Sequence, residues 1–163
     1  VSMKTFSAML LFACFSVIAT GPAFAQVKPI QLALFNPVQI VPENESISGI
    51  RLSLIYGRNA NMSGFDWGLV TSTTGNFTGV QWGFVGMVEG DFEGWQHNMV
   101  SITNGSFKGL QVGAYNSANF VNGLQFGLFN SAGSMKGIQL GLLNFIKQGG
   151  FMPFFPIVNW GGL

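Results

Sequence analysis

The chain has 163 residues, of which 8% are charged and 48% are hydrophobic, and its formal net charge is +1. The hydrophobic fraction excludes a wholly disordered chain, and the near-zero charge provides no basic surface for a nucleic-acid backbone. The 23 glycines and the 14% aromatic content favour a β-repeat protein or a membrane barrel over an ordinary enzyme domain.

Residues 1–25 have the pattern of a cleavable signal peptide. Lys4 is followed by an apolar stretch from Met9 to Ile18 and then by Ala23-Phe24-Ala25, which is the order of charged region, apolar region and small-residue cleavage site. The stretch is shorter than the ~20 residues that a membrane-spanning helix needs. We therefore expect cleavage after Ala25 and export to the cell surface, the outer membrane or the extracellular medium.

The single cysteine, Cys14, lies within that apolar stretch. Lipidation at Cys14 is disfavoured because Phe12 is bulky where the lipidation motif requires a small residue. Because Cys14 would be removed with the signal peptide, we expect the mature chain to have no thiol, which excludes disulfides and cysteine metal sites. Removal of Lys4 leaves six basic and six acidic residues, so the mature net charge is near zero.

Residues 26–150 contain about eight copies of a short repeat. The shared form is G-Φ-Q-Φ-G-Φ-Φ-N, where Φ is apolar, followed by a small polar stretch and an apolar residue in the last position but one. The clearest copies begin at Gly109, Gly123 and Gly137. One copy cannot bury its few apolar side chains alone, so the repeat predicts an all-β solenoid of stacked rungs about 4.8 Å apart. The copies begin at Pro29, Gly49, Gly64, Gly79, Gly94, Gly109, Gly123 and Gly137.

Strand alternation decides which repeat positions share a face. Positions two, four and six are apolar in almost every copy and share one face, while Gln at three and Gly at five share the other. We predict that the two-four-six columns point into the core and that the glutamines form an amide ladder along the outer surface. We also expect the last apolar residue but one, for example Phe92, to point inward. The ladder residues are Gln81, Gln96, Gln111, Gln125 and Gln139.

The two ends of a solenoid need protection, because a terminal rung leaves its backbone groups unpaired. We predict that residues 151–163 form a C-terminal cap, with Pro153 and Pro156 discouraging further pairing. The segment 37–46 is the weaker candidate for an N-terminal cap. The cap side chains expected to cover the last apolar layer are Phe151, Phe154, Phe155, Ile157 and Trp160.

From Ile30 to the C-terminus the chain resembles the bacterial surface-repeat proteins first noted in leptospires. The resemblance is carried by the G-Φ-Q-Φ-G-Φ-Φ-N unit and by the tail Phe151-Met-Pro-Phe-Phe-Pro-Ile-Val-Asn-Trp160. It implies an envelope or surface location and no agreed biochemistry. The early copies depart from the motif at Arg51, Ser53, Asp66 and Asn98.

No catalytic, cofactor-binding or metal site is predicted. His97 is the only histidine, and we expect it to be a hydrogen-bonded packing residue in an apolar core column, without partners for a triad or a zinc site.

Two sets of charged residues are singled out by their positions. Glu89, Asp91 and Glu93 offer the oxygen ligands that calcium takes, but solvated charges at a Gly-rich turn are the expected role. Arg51 and Asp66 occupy one column in successive copies, which predicts a cross-strand ion pair worth about 0.2–1 kcal/mol.

The sequence thus predicts a non-enzymatic exported surface or envelope protein that serves as a structural scaffold or a binding surface. We expect no cofactor and no nucleic-acid partner; the expected partner is an envelope or extracellular protein or glycan, and outer-membrane association is a further expectation. Two alternatives remain open. One is a small outer-membrane β-barrel with the two-four-six face on lipid and the Gln-Gly face inward, and the other is a self-assembling fibre subunit.

Overall fold

The computed structural model describes residues 28–162, which contain seven strands and no helix. The signal peptide expected at residues 1–25 lies outside the described residues. The strands are β1 (Lys28–Phe35), β2 (Val38–Gln39), β3 (Ile47–Asn59), β4 (Met62–Thr73), β5 (Phe77–Val88), β6 (Phe92–Gln148) and β7 (Phe154–Gly161).

The described chain is a β-solenoid, as the sequence predicts. Strands β1, β3, β4, β5 and the start of β6 stack in parallel as about five successive turns. From β3 to β6 the starts of the copies are aligned, so that Gly49, Gly64, Gly79 and Gly94 are stacked partners, with one register shift between Ser53 and Tyr56 of β3. The repeat strands run parallel, and the sheet has two ends, β2 and β7, so the β-barrel alternative is wrong.

The long strand β6 contains the last four copies of the repeat, which stack on one another and continue the solenoid. The first glycine of each copy shows how close the backbones of successive copies lie. A Cβ atom on Gly109 would lie 2.0 Å from the carbonyl oxygen of Gly94, and one on Gly123 would lie 2.0 Å from that of Gly109. Gly109 also has φ +131°, a conformation that residues with a side chain rarely adopt. This column therefore requires glycine.

The two strand faces are reversed from the prediction. Gln111 and every other residue of its column are completely buried, whereas residues at positions two, four and six, such as Leu128, are about half exposed. A single closed rung of the repeat has room inside for only a few side chains. Small residues at position five and amides that bond to their neighbours share that space with the last apolar residue but one, such as Phe92, which leaves no room for three more large apolar side chains from each copy. The buried column is Gln31, Arg51, Asp66, Gln81, Gln96, Gln111, Gln125 and Gln139.

The apolar core lies on the other side of the interior. The prediction that the last apolar residue but one points inward is confirmed, since Phe77, Phe92 and Phe107 are at most 1% exposed. Phe77 and Phe92 stack with ring centres 4.7 Å apart, and Phe92 and Phe107 stack at 5.2 Å. Burial of such side chains contributes roughly 1.5–3 kcal/mol each before entropy is counted. The core is completed by Val41, Ile47, Met62, Val88, Ala118, Val121, Ala132, Met135 and Ile146.

The C-terminal end is paired in a way that the sequence does not predict. Strand β7 runs antiparallel to the last copy of the repeat, with Asn159 opposite Gln139. Pro156 does not prevent this pairing, and Ile157, one of the side chains expected to cover the last apolar layer, is 73% exposed. The tail therefore satisfies the terminal rung mainly through its backbone.

The N-terminal end is covered by a short return of the chain. Strand β2 pairs antiparallel with β1, and Val41 then folds over the buried column. The Val41 N–H donates to Gln31 Oε1 at 2.9 Å, and Gln31 Nε2 donates to the Val41 carbonyl at 2.9 Å. Residues 38–41 thus pair the first amide of the column on its outer side.

Candidate functional site: an uncharged apolar face

One outer surface of the solenoid consists of the side chains at repeat positions two, four and six, and we call it the front face. None of its residues is charged. Its rows, in chain order, are Ile30-Leu32-Leu34, Ile50-Leu52-Leu54, Phe65-Trp67-Leu69, Val80-Trp82-Phe84, Trp95-His97-Met99, Leu110-Val112-Ala114, Leu124-Phe126-Leu128 and Ile138-Leu140-Leu142.

The front face is far larger than the apolar patches of ordinary monomers. Leu54, Phe126 and Leu142 are 57–62% exposed, and most of the other large side chains of the face are 38–56% exposed. At on the order of 100 Å² for each half-exposed large side chain, the face presents about 1,800 Å² of apolar surface. The largest patch on a typical monomer is about 300–600 Å² and often functional. Parallel sheets are also normally covered on both faces, so the front face is a candidate interaction surface.

The middle of the front face is aromatic. The Trp82 ring centre lies 6.4 Å from that of Trp95 and 5.3 Å from that of His97, and Trp95 meets His97 edge to face at 5.8 Å. His97 is therefore a packing residue as expected, but it packs against indoles on the outer surface and not within a core column.

Two shallow hollows lie toward opposite ends of the front face. The N-terminal hollow has a volume of about 610 Å³, and Trp67 stands at its side. The C-terminal hollow has a volume of about 600 Å³, and Phe126 stands at its side. Val112 and Ala114 form part of the C-terminal hollow because they are among the smallest residues in their columns. The N-terminal hollow is lined mainly by Leu32, Leu34, Val38, Ile40 and Leu54, and the C-terminal one mainly by Val112, Ala114, Leu128, Leu140 and Leu142.

The exposed charges lie away from the front face. Glu93 accepts a hydrogen bond from Lys108 Nζ at 2.6 Å, Arg58 lies 3.8 Å from Glu89, and Asp91 accepts the backbone N–H of Ser106. The three acidic residues of that turn thus have three separate partners. Within residues 28–162 no group of three or more His, Cys, Asp or Glu is placed to hold a metal ion.

The predicted ion pair between Arg51 and Asp66 is present, but it is buried and not solvent-exposed. Arg51 Nε and Nη2 donate to the two Asp66 oxygens, both at 2.7 Å, and both side chains are 0% exposed. Arg51 also donates to the carbonyl of Ser72 and the hydroxyl of Thr73. The pair is enclosed by the fold and therefore out of reach of any substrate.

A chain of amide hydrogen bonds leads to this ion pair. Gln139, Gln125, Gln111 and Gln96 each donate Nε2 to the Oε1 of the preceding glutamine at 2.7–2.8 Å. Gln81 then donates to Asp66 Oδ2 at 3.1 Å. The predicted amide ladder therefore exists, inside the solenoid. Hydrogen bonds aligned in one direction polarise each other, and here all of the donors point toward the carboxylate.

A second amide ladder lies beside the first and runs in the opposite direction. Asn116 donates to Asn130 at 2.9 Å, Asn130 donates to Asn144 at 2.8 Å, and Asn144 donates to the Phe155 carbonyl of β7. These asparagines are the last residue of the G-Φ-Q-Φ-G-Φ-Φ-N unit. Buried polar groups are thus largely satisfied from rung to rung, which makes a polar interior tolerable.

Fold and surface together define a β-solenoid whose interior is polar on one side and apolar on the other, and whose front face is apolar and exposed. Comparison with family models, with curated proteins and with solved structures gives no match to this chain. Within residues 28–162 there is no helix that could span a membrane. Sequence reasoning found the front-face residues as a set but assigned them to the core; the three tryptophans of that set, Trp67, Trp82 and Trp95, were the available signal that the set is too large for the interior.

Proposed function

We propose that this protein is a non-enzymatic, exported scaffold of the cell surface or envelope, and that the front face is its binding surface. The observation that supports this proposal is the apolar face itself, which extends from Ile30 to Leu142 without a charged residue. An uncovered apolar surface of about 1,800 Å² is costly in water. In the working form of the protein this face is covered by a partner.

The proposal of a surface location has its support in the sequence. Residues 1–25 have a signal-peptide pattern, and the repeat and the tail resemble the leptospiral-type surface-repeat proteins. We propose that the chain belongs with those proteins. The scaffold role has its support in the interior, where the ion pair of Arg51 and Asp66 is fully enclosed.

The proposed binding surface can be tested by thiol labelling in intact cells, because the mature chain has no cysteine of its own. Leu128→Cys places a thiol on the front face, and Asn122→Cys places a matched thiol on an exposed residue outside it. With a membrane-impermeant maleimide, we expect the thiol of Asn122→Cys to react quickly and that of Leu128→Cys at least tenfold more slowly. Both should react equally in urea. Equal rates on intact cells would show that the front face is open and that the proposed function is wrong.

Export itself predicts a defined mature mass. Cleavage after Ala25 would leave a chain that begins at Gln26 and lacks Lys4 and Cys14. We expect intact-mass measurement of the protein from the cell envelope to match residues 26–163. A mass that includes the segment 1–25 would contradict export by a cleaved leader.

A further inference from the structure

We propose that the front face binds the front face of a second copy of this chain, forming an antiparallel two-fold dimer. This inference rests on the proposed function, since it names the partner that covers the proposed binding surface. Three properties of the face support it: its area, its lack of charge and the arrangement of its two hollows.

The area of the face suits an obligate dimer. Two front faces packed together would bury about 3,000 Å² in total, within the range of roughly 2,000–5,000 Å² found for permanent homodimers. The contact would resemble that between the two sheets of a β-sandwich, which lie about 10 Å apart with aligned strands. Such packing would give the parallel sheet the second apolar layer that it lacks.

The charge distribution favours a second copy over a lipid surface. The described residues include six basic and six acidic side chains, so the solenoid has no excess positive charge to attract anionic lipid. The absence of charge on the front face equally means that two copies can meet without burying an unpaired ion. Shape then has to decide the orientation of the two copies.

The shape of the face fits an antiparallel pair. A two-fold axis that runs parallel to the strands, midway along the stack, places the third row of one copy opposite the sixth row of the other. Trp67, which is 47% exposed, then lies over Val112 of the second copy, at the C-terminal hollow. The same axis places the seventh row opposite the second.

The second contact mirrors the first. Phe126, 57% exposed, then lies over Leu52 of the second copy, at the N-terminal hollow. Each of these two aromatic side chains therefore faces the edge of a hollow on the second copy, and the central aromatic rows, which contain Trp82 and Trp95, face each other. Because the two-fold axis uses the same face on both copies, the assembly closes as a dimer and does not extend.

This arrangement can be tested by exchanging the large side chain at position 67 with the small one at position 112. The dimer dissociation constant of the purified mature protein is measured by sedimentation equilibrium. We expect the parent to be a dimer. Val112→Trp should raise the dimer dissociation constant at least about tenfold, because each Trp67 would then meet another indole. Trp67→Val combined with Val112→Trp should restore dissociation to within about threefold of the parent, because bulk and hollow have changed places. Asn122→Asp, outside the front face, is the control and should leave dimerisation unchanged.

The contrary outcomes are distinct. A parent that stays monomeric at all concentrations overturns the dimer, and so does a double variant that folds normally by circular dichroism but does not recover dimerisation. Binding to neutral phosphatidylcholine vesicles provides a second measurement. If the parent is monomeric in buffer and the Val112→Trp variant binds these vesicles more tightly than the parent does, the partner of the front face is lipid and not a second copy. In that case the thiol of Leu128→Cys still reacts slowly in cells, so the proposed binding surface stands while the dimer fails.

Discussion

Arg51→Met is expected to destabilise the solenoid by about 3–5 kcal/mol, since it leaves Asp66 as a buried carboxylate without its cation. Arg51 supplies two hydrogen bonds of 2.7 Å to that carboxylate, and both side chains are completely buried. After the substitution, the hydrogen bond from Gln81 is the main remaining contact to Asp66. Urea unfolding of parent and variant at one fixed protein concentration measures the loss.

Two further variants separate the effect of burial from the effect of charge. Lys108→Met removes the cation of an exposed ion pair, in which Lys108 lies 2.6 Å from Glu93, and exposed pairs of this kind usually contribute little. We expect this variant to unfold close to the parent. Arg51→Met combined with Asp66→Leu removes both buried charges and should recover more than half of the loss. Equal effects of Arg51→Met and Lys108→Met would contradict the enclosed position of the Arg51 pair.

The ion pair also explains why two copies of the repeat depart from its motif. A ladder of glutamines needs an acceptor at the end to which all its donors point, and Asp66 receives the hydrogen bond of Gln81. A carboxylate buried at that place requires a cation, which Arg51 of the preceding turn supplies. The substitutions at positions 51 and 66 are therefore coupled through one contact. In the first turn the column returns to an amide, Gln31, which bonds to the N-terminal return at Val41.

The repeat length and motif were enough to predict the stacking. The constant spacing of Gly64, Gly79 and Gly94 along the sequence predicts parallel rungs in register, and these glycines are indeed stacked partners. The ion pair of Arg51 and Asp66 follows from the same register. Contacts that depend only on which residues share a column can be predicted because the period of the sequence fixes them.

The direction of the faces could not be predicted from alternation alone. A period of two shows that Leu124 and Phe126 share a face, but not whether that face lies inside or outside. Hydrophobicity favours the inside for them, and this expectation is wrong because the interior of one rung is already filled by the amide and by the last apolar residue but one, such as Phe107. The decisive contribution is cooperative: a buried glutamine is costly alone, but each one here bonds to the next. The β-barrel alternative had the correct assignment of faces within the wrong fold.

The tail shows a second limit of sequence reasoning. Pro153 and Pro156 suggest a segment that avoids pairing, because proline cannot donate a backbone hydrogen bond. Strand β7 nevertheless pairs along the last rung from Phe154 to Gly161. A terminal strand is paired on one side only, so a missing donor on its outer side costs little. The hollows of the front face likewise depend on the side-chain sizes of several turns and become visible only when the rungs are stacked.

Gln111→Leu is expected to destabilise the protein by about 2–4 kcal/mol, although it replaces a polar residue with an apolar one in the interior. Gln111 donates to Gln96 and accepts from Gln125, at 2.8 and 2.7 Å. Leucine would interrupt the ladder and leave an acceptor on Gln96 and a donor on Gln125 short of partners, and its own burial would offset only part of that cost. Gln148→Leu is the matched control, since Gln148 is exposed, and it should unfold within about 0.5 kcal/mol of the parent. The measurement is again urea unfolding at fixed concentration. A Gln111→Leu variant as stable as the control would place the glutamine column at the surface and the front face in the core, which would overturn both the assignment of the faces and the binding surface built on it.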